Sequence, residues 1–497
     1  MTDIADDLGA RNPARRNKGR GITMLAVVAL ADFLLFGQEP GINLFAFAVA
    51  VTIGILLPAI GSLGSRMACL LLGFSILVSA PLLEAPSLLG ALLSVCAAIF
   101  VALACSRLVP ESMTGLPLIF FRFALVAPLR LMEDCLKRLL LAAVQPVSGR
   151  LSRSLVVWTV PVTLASIFLV LFAMANPLIE EGLRSIDLSM LLSLLDFWRI
   201  TFWLIIAMSI WPLLRPRLKR RHNRPTVTAL VEMKENPLFG HASLLRSLLI
   251  FNALFAVQSL LDLVYLWGGA DLPDGMSHAE YAHRGAYPLV ATALLAAAFV
   301  LAAMRRNDPG DGSPLIRSLV YVWIGQNILL CIASILRLDL YVEVYSLTEL
   351  RVAAGIWMGL VATGLALILL RILLRRSSEW LIATNLAALV AVLYVCAFID
   401  FPAFISRFNV EHSRELGGQG LALDICYLRS LGPSAIPALD RYITALAPLA
   451  PEEMKTAAIT REGLAYQFAQ RSRDWRSWNL RAWRLESTLA QHVAIAR

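Results

Sequence analysis

Charge is scarce in this chain: 16% of its 497 residues are Asp, Glu, Lys or Arg, against 58% that are hydrophobic. A water-soluble fold of this length carries more ionisable surface, so the scarcity excludes that class and points to a protein with much of its surface in lipid. Cysteine is sparse too, with seven residues and no C-x-x-C. Cys69, Cys96, Cys105, Cys331 and Cys396 fall in apolar runs, where a thiol behaves as a small hydrophobe, so no disulfide framework or zinc finger is implied. P-loop, G-x-S-x-G, H-E-x-x-H and kinase signatures are all missing, which leaves no motif that ties spacing to a known chemistry. The formal charge of +9 collects in loops beside apolar runs and gives no reason to expect a nucleic-acid partner. No cofactor is implied.

What the chain has is long apolar runs and a mean hydropathy of +0.70. About 20 mostly apolar residues cross a hydrocarbon core of roughly 30 Å. Eleven runs qualify, at approximately 22–37, 43–62, 67–83, 87–106, 154–175, 199–214, 247–267, 288–304, 317–337, 352–371 and 379–400. They are too long and too uniformly apolar for barrel strands, so the expected fold is all-α: a polytopic transmembrane helical bundle with a small C-terminal soluble helical domain. The first run follows a basic tail, residues 1–21, and lacks a small-x-small cleavage site, so it reads as an uncleaved span. Basic residues crowd the loops on the side of that tail, including "RPRLKRRHNR" at 215–224, whereas the opposite loops hold Arg184, Arg199, Arg284, Arg337 and Arg351. This bias places the N-terminus inside and, with eleven crossings, the C-terminus outside, which in a bacterium means an inner-membrane protein with a periplasmic tail. The bilayer is the first partner expected.

The runs divide the chain into the tail 1–21, a four-span region 22–106, a connector 107–153, a seven-span core 154–404 and a helical tail domain 405–497. The connector mixes "PLIFFRFALVAPLRL" with Arg122, Arg130, Lys137 and Arg138, a pattern of helices lying on an anionic inner leaflet, or of a helix that docks a partner protein. In the tail domain Leu423, Cys426, Tyr427 and Leu431 are at helical spacing, and Ser434 is a candidate N-cap for the next helix. Trp475, Trp478, Leu480 and Trp483 are spaced to form one face of a long helix, for packing, membrane docking or binding.

Ionisable groups inside a bilayer are costly, so each is by default a functional hypothesis. Asp32 lies deep in the first run. Gln258 and Asp262 are four apart and share a helical face. Gln326 and Asn327 lie in the ninth run, with Arg337, Asp339, Glu343, Glu349 and Arg351 expected in the loop after it, and Asp400 and Arg407 follow the last run. The densest cluster is "HAEYAHRGAYP" at 278–288, with His278, Glu280, Tyr281, His283, Arg284 and Tyr287. Its histidines are five apart, about 140° around a helix, so they do not share a face as a zinc pair does. A metal would need loop geometry and a further ligand such as His412, Asp262, Asp339 or Asp400, so no metal is assigned. The cluster reads first as a structural cap over the bundle, with Arg284 paired to a carboxylate, and second as a ligand pocket. An ion pair of Glu349 or Arg351 with Arg284 or Asp339 is a further expectation.

The segments "HAEYAHRGAYPLVATALLAAAFVL", "LYVEVYSLTELRVAAGIWMGLV", "DFPAFISRFNV", "LDICYLRSLGPSAIPAL" and "DWRSWNLRAWR" together resemble a bacterial family of polytopic membrane proteins known as domain of unknown function forty-one seventy-three. The resemblance is most specific between about 240 and 485. It implies an integral membrane protein with no established reaction, loosely associated with signalling, and carries no catalytic residue over.

Three function classes follow. The first is a non-enzymatic protein that senses or scaffolds through an outward-facing polar surface, with a periplasmic or cytoplasmic protein partner. The second is a membrane enzyme acting on a lipid-linked or envelope substrate, with Glu280, Asp339 or Asp400 as acid or base. The third is a transporter with Asp32, Gln258, Gln326 and Asn327 along a path, although no internal repeat supports it.

Overall fold

A computed structural model of the chain describes residues 13–109, 115–126, 130–134, 136–137, 158, 161–169, 171–172, 196–216, 241–267, 314–418, 421–446 and 451–495. Among these residues the regular structure is entirely helical. In chain order the main helices are α1 (Pro13–Leu35), α2 (Ile42–Leu56), α3 (Ser65–Ser79), α4 (Leu88–Cys105), α5 (Leu116–Val126), α6 (Phe197–Leu214), α7 (His241–Asp262), α8 (Pro314–Tyr345), α9 (Glu349–Leu373), α10 (Ser378–Phe398), α11 (Phe401–Glu411), α12 (Ile425–Ser430), α13 (Ile436–Leu446), α14 (Pro451–Ala469) and α15 (Leu480–Ile495).

Seven of the described helical stretches are long and apolar enough to cross a membrane: Ile42–Leu63, Leu88–Cys105, Phe197–Leu214, Leu245–Tyr265, Pro314–Tyr345, Glu349–Leu373 and Ser378–Phe398. They also turn large apolar side chains outward along their length, such as Ile53, Leu92, Leu204, Leu254, Leu260 and Trp357. Outward apolar surface on this scale is stable only against lipid, so this is a multi-pass membrane protein. Of the other expected spans, 22–35 belongs to α1, whose length also carries Arg15, Arg16, Lys18, Arg20 and Asp32. Residues 67–83 form the 15-residue α3 and a short turn at Pro81–Glu84. Of 154–175, residues 158, 161–169 and 171–172 are described and are helical, and all of 288–304 lies outside the described residues.

The chain divides into two compact units. The first contains residues 1–220 and 473–497, and the second contains residues 221–472. The residues of the expected tail, 405–497, are thus shared between them.

In the first unit, α1 packs on α2 and α6, α2 on α3 and α4, and α3 on α4. Val51, Ile55, Leu71, Val101, Ala102, Ile210 and Leu213 make the core, and Phe123 brings α5 into it. The small residues of α4 let its neighbours approach, and Thr52 and Ser75 share a buried hydroxyl–hydroxyl hydrogen bond of 2.7 Å between α2 and α3. The basic connector therefore docks at least its first helix on the bundle, while Leu118, Phe121 and Arg122 stay exposed.

In the second unit, α7 packs on α8, α8 on α9, and α9 on α10. Leu248, Val320, Trp323, Ile324, Cys331 and Leu365 form its bundle core. Helices α11 to α14 pack together through Ile405, Leu428, Ile436, Leu439, Tyr442 and Leu464, all nearly or wholly inaccessible. Side-chain caps start these helices: Thr348 accepts from the Arg351 amide, Ser377 from Trp380, Asp400 from Ala403 and Asp424 from Tyr427. Helix α12 starts at Ile425 because Asp424 caps it, so Leu423 precedes the helix instead of lining its face. Ser434 is not an N-cap but part of the Pro433–Ala435 turn.

Candidate functional site

Polar side chains gather at one end of each unit. In the first, α1 and α2 meet through "FGQEPGIN", and Asn43 organises the turn. It is 1% exposed. Its Nδ2 donates to the carbonyls of Leu34 (2.9 Å) and Glu39 (3.1 Å), and its Oδ1 accepts from the amides of Gly41 (2.8 Å) and Leu44 (2.9 Å). Two donors and two acceptor sites are the whole capacity of an amide side chain, and all are used.

Onto this turn the C-terminal segment docks as a clasp. The Ile42 amide donates to the Trp478 carbonyl at 2.7 Å. A Cβ on Gly41 would land on the backbone carbonyl of Ser477, so only glycine admits this approach. The Arg476 guanidinium lies 4.3 Å from the centre of the Phe33 ring. Glu84, 6% exposed, accepts from Arg484 at 2.6 Å, with Arg481 at 3.8 Å. The three tryptophans do not line one long helix as expected. Trp475 opens a 3-10 turn and Trp478 is extended, because Asp474 accepts from the Arg476 amide and Asn479 from the Ala482 amide, so the helix begins only at Leu480.

Asp32 is not deep in its helix. α1 starts at Pro13, inside the expected basic tail, and ends at Leu35, so Asp32 sits in its last turn. There Arg199 holds both carboxylate oxygens, at 2.8 and 2.5 Å, and the Trp203 indole donates at 2.9 Å. At the opposite end of the same bundle, a cavity of about 240 Å³ is lined by Arg20, Ser106, Arg107 and Leu213 among others.

In the second unit Asp262 and Arg337, both about 2% exposed, form a buried ion pair between α7 and α8. Gln258 donates to the same carboxylate at 2.9 Å. Arg337, Asp339 and Glu343 belong to α8, which runs unbroken to Tyr345, and not to a loop. Gln326 and Asn327 serve packing: Gln326 donates to the Asn252 carbonyl at 3.2 Å and Asn327 to the Trp323 carbonyl at 2.7 Å. Asn252 in turn donates to Leu319 across the helix pair at 3.1 Å.

The α8–α9 turn is the second polar focus. Ser346 takes φ +68°, a conformation L residues rarely adopt. Arg351 donates to the carbonyls of Tyr345 (2.6 Å) and Ser346 and lies over the Tyr341 ring at 4.6 Å. Its described contacts are thus carbonyls and a ring in place of the expected carboxylate. Asn409 of α11 exchanges two hydrogen bonds with the Leu347 backbone, at 2.7 and 2.9 Å. The Glu349 amide donates to the Tyr427 hydroxyl at 3.0 Å. Asp400 caps α11 and accepts from Ser434 at 3.0 Å. Arg407 pairs with Glu411, which Arg441 also approaches, on the open surface.

His278, Glu280, Tyr281, His283, Arg284 and Tyr287 lie outside the described residues. Among the described residues no three His, Cys, Asp or Glu side chains gather as a metal site would require, and His412 stacks on Phe408 with its Nδ1 at 2.9 Å from that residue's carbonyl. Sequence reasoning missed Asn43, Glu84 and Asn252. The signal available for the first was an amide beside Pro40-Gly41, which marks a turn but names no partner.

No curated protein and no solved structure matches the chain. The family model that does match is DUF4153, a domain of unknown function, over residues 67–442. The number differs from the resemblance read in the sequence, and the match begins far upstream of residue 240 and stops short of "DWRSWNLRAWR". Because that model covers well over half of its length, the chain belongs to the DUF4153 family.

Proposed function

We propose that the protein is a non-enzymatic scaffold or sensor of a bacterial cytoplasmic membrane, whose partner-facing surface is the helical platform α11–α14, held on the outer side. One observation carries this reading. The polar groups at the α8–α9 end are spent on structure: Asn409 and Tyr427 fasten the platform to the backbone of the turn, Arg351 holds the turn itself, and Asp400 caps a helix and holds Ser434. A catalytic carboxylate needs its oxygens for substrate, and both oxygens of Asp400 are already engaged. A path-lining amide would face a conduit, whereas Gln326 and Asn327 donate to helix carbonyls. The exposed side chains of the platform include the Arg407–Glu411–Arg441 charges and Ile459 and Tyr466 of α14, a mixture of charge and apolar anchors that suits a protein partner.

The outward placement is supported by the distribution of arginine. Arg246, Arg317, Arg371, Arg375 and Arg376 lie at the ends of α7–α10 away from the platform, where the positive-inside bias would put the cytoplasm. A photoreactive residue at Ile459 or Tyr466 should form discrete protein adducts in intact cells. A membrane-impermeant thiol reagent should label Ile459→Cys without permeabilisation. Labelling only after permeabilisation would overturn the orientation, and absence of protein adducts from both positions would overturn the recognition role.

A further inference from the structure

We infer that the clasp, residues 474–491, is an interfacial membrane anchor whose tryptophans sit among lipid headgroups. The first argument is depth. The Ile42–Leu63 stretch is 22 residues long, about 33 Å of helix, which matches a hydrocarbon core of roughly 30 Å. Its first residue is therefore level with the membrane boundary. The Trp478 carbonyl accepts from that residue's amide, and Arg476 lies on Phe33, in the last turn of α1. The clasp is thus tied at two points to the level where the spans leave the hydrocarbon.

The second argument is exposure. Trp475, Trp478 and Trp483 are 56%, 41% and 53% exposed, although three bulky indoles in contact with a bundle would ordinarily be its best core material. Phe33 and Trp198, at the same end of α1 and α6, are exposed as well. A ring of exposed aromatics at one level is the arrangement that headgroups favour, because indole has an apolar body and a polar N–H. The third argument is the polar side of α15. Arg484, Glu486 and Ser487 share its open surface with Trp483, so the helix has water-seeking groups beside its membrane-seeking ring, as a helix lying in the interface requires. In the hydrocarbon the Glu486 charge would be costly, and in bulk water the apolar bodies of the indoles would be left exposed.

The test uses the full chain in vesicles of phosphatidylcholine and phosphatidylglycerol, comparing its tryptophan fluorescence with that of the W475F/W478F/W483F variant. The difference signal isolates the three indoles. It should be quenched more strongly by phosphatidylcholine brominated at carbons near the headgroup than by lipid brominated deep in the chain, and little by aqueous iodide. Quenching by iodide and by neither lipid would place the clasp in water and overturn the proposal. Stronger quenching by the deep lipid would overturn it too. Should the triple variant fail to insert, W483F alone gives the same comparison for α15, where the exposed ring carries little of the fold. This outcome is independent of whether the α11–α14 platform binds a protein.

Discussion

Asp262 and Arg337 show how a residue's role depends on its partner. Both are withdrawn from solvent between α7 and α8, and α7 widens into a π-turn at Leu263 directly after the aspartate. Removing one member leaves the other charge buried, which costs about 3–5 kcal/mol, whereas replacing both with apolar residues of similar volume is often close to neutral. R337A should therefore lower the thermal unfolding midpoint in detergent sharply, and D262L/R337M should recover much of the loss. Equal losses in the two variants would mean that the pair's attraction, not the stranded charge, sets the stability. Tyr427 offers a milder case. Y427F removes a single hydroxyl that accepts from the Glu349 amide, a loss of about 1 kcal/mol, and faster hydrogen exchange at the start of α9 would report it. Sequence identified Gln258 and Asp262 as one face, since spacing along a helix is local. It could not pair Asp262 with Arg337, because that contact spans 75 positions.

Among the elements, the clasp and the α8–α9 turn are the two devices that convert helices into units. The clasp depends on Gly41 having no side chain, because a methyl group would overlap the Ser477 carbonyl. G41A should cost about 1–3 kcal/mol by overpacking and should make the chain after Ser472 sensitive to protease in detergent-solubilised protein, with N43A acting in the same direction by unfastening the turn. Unchanged protease sensitivity would show that Glu84 and its arginines hold the clasp without the turn. The caps of α9, α10, α11 and α12 by Thr348, Ser377, Asp400 and Asp424 are local signals, readable wherever a Ser, Thr or Asp precedes an apolar helix. Ser434 carried the same signal and does something else, because Gly432 and Pro433 close a 3-10 turn there and turn its hydroxyl to Asp400.

For the whole molecule, the division into two units makes a separable expectation. Deleting residues 473–497 should raise hydrogen exchange in α1, α2 and the Pro81–Glu84 turn, which the clasp touches, and leave α7–α14 unchanged. Exchange rising equally in both would count against the division.

Composition and run length alone determined that this chain is helical and crosses a membrane many times, because the bilayer imposes one requirement on every crossing segment: its backbone must satisfy itself, and its surface must be apolar. That requirement is written locally, some 20 residues at a time. The roles of the polar residues were decided only by tertiary structure. Asp32 became the partner of Arg199, Asp400 a cap, Arg351 the staple of a turn, and three tryptophans the exposed edge of a clasp that returns from the far end of the sequence to the first turn of the bundle. A hydrogen bond or ion pair is defined by distance in space, and nothing in the spacing of residues along the chain encodes which helix end lies beside another.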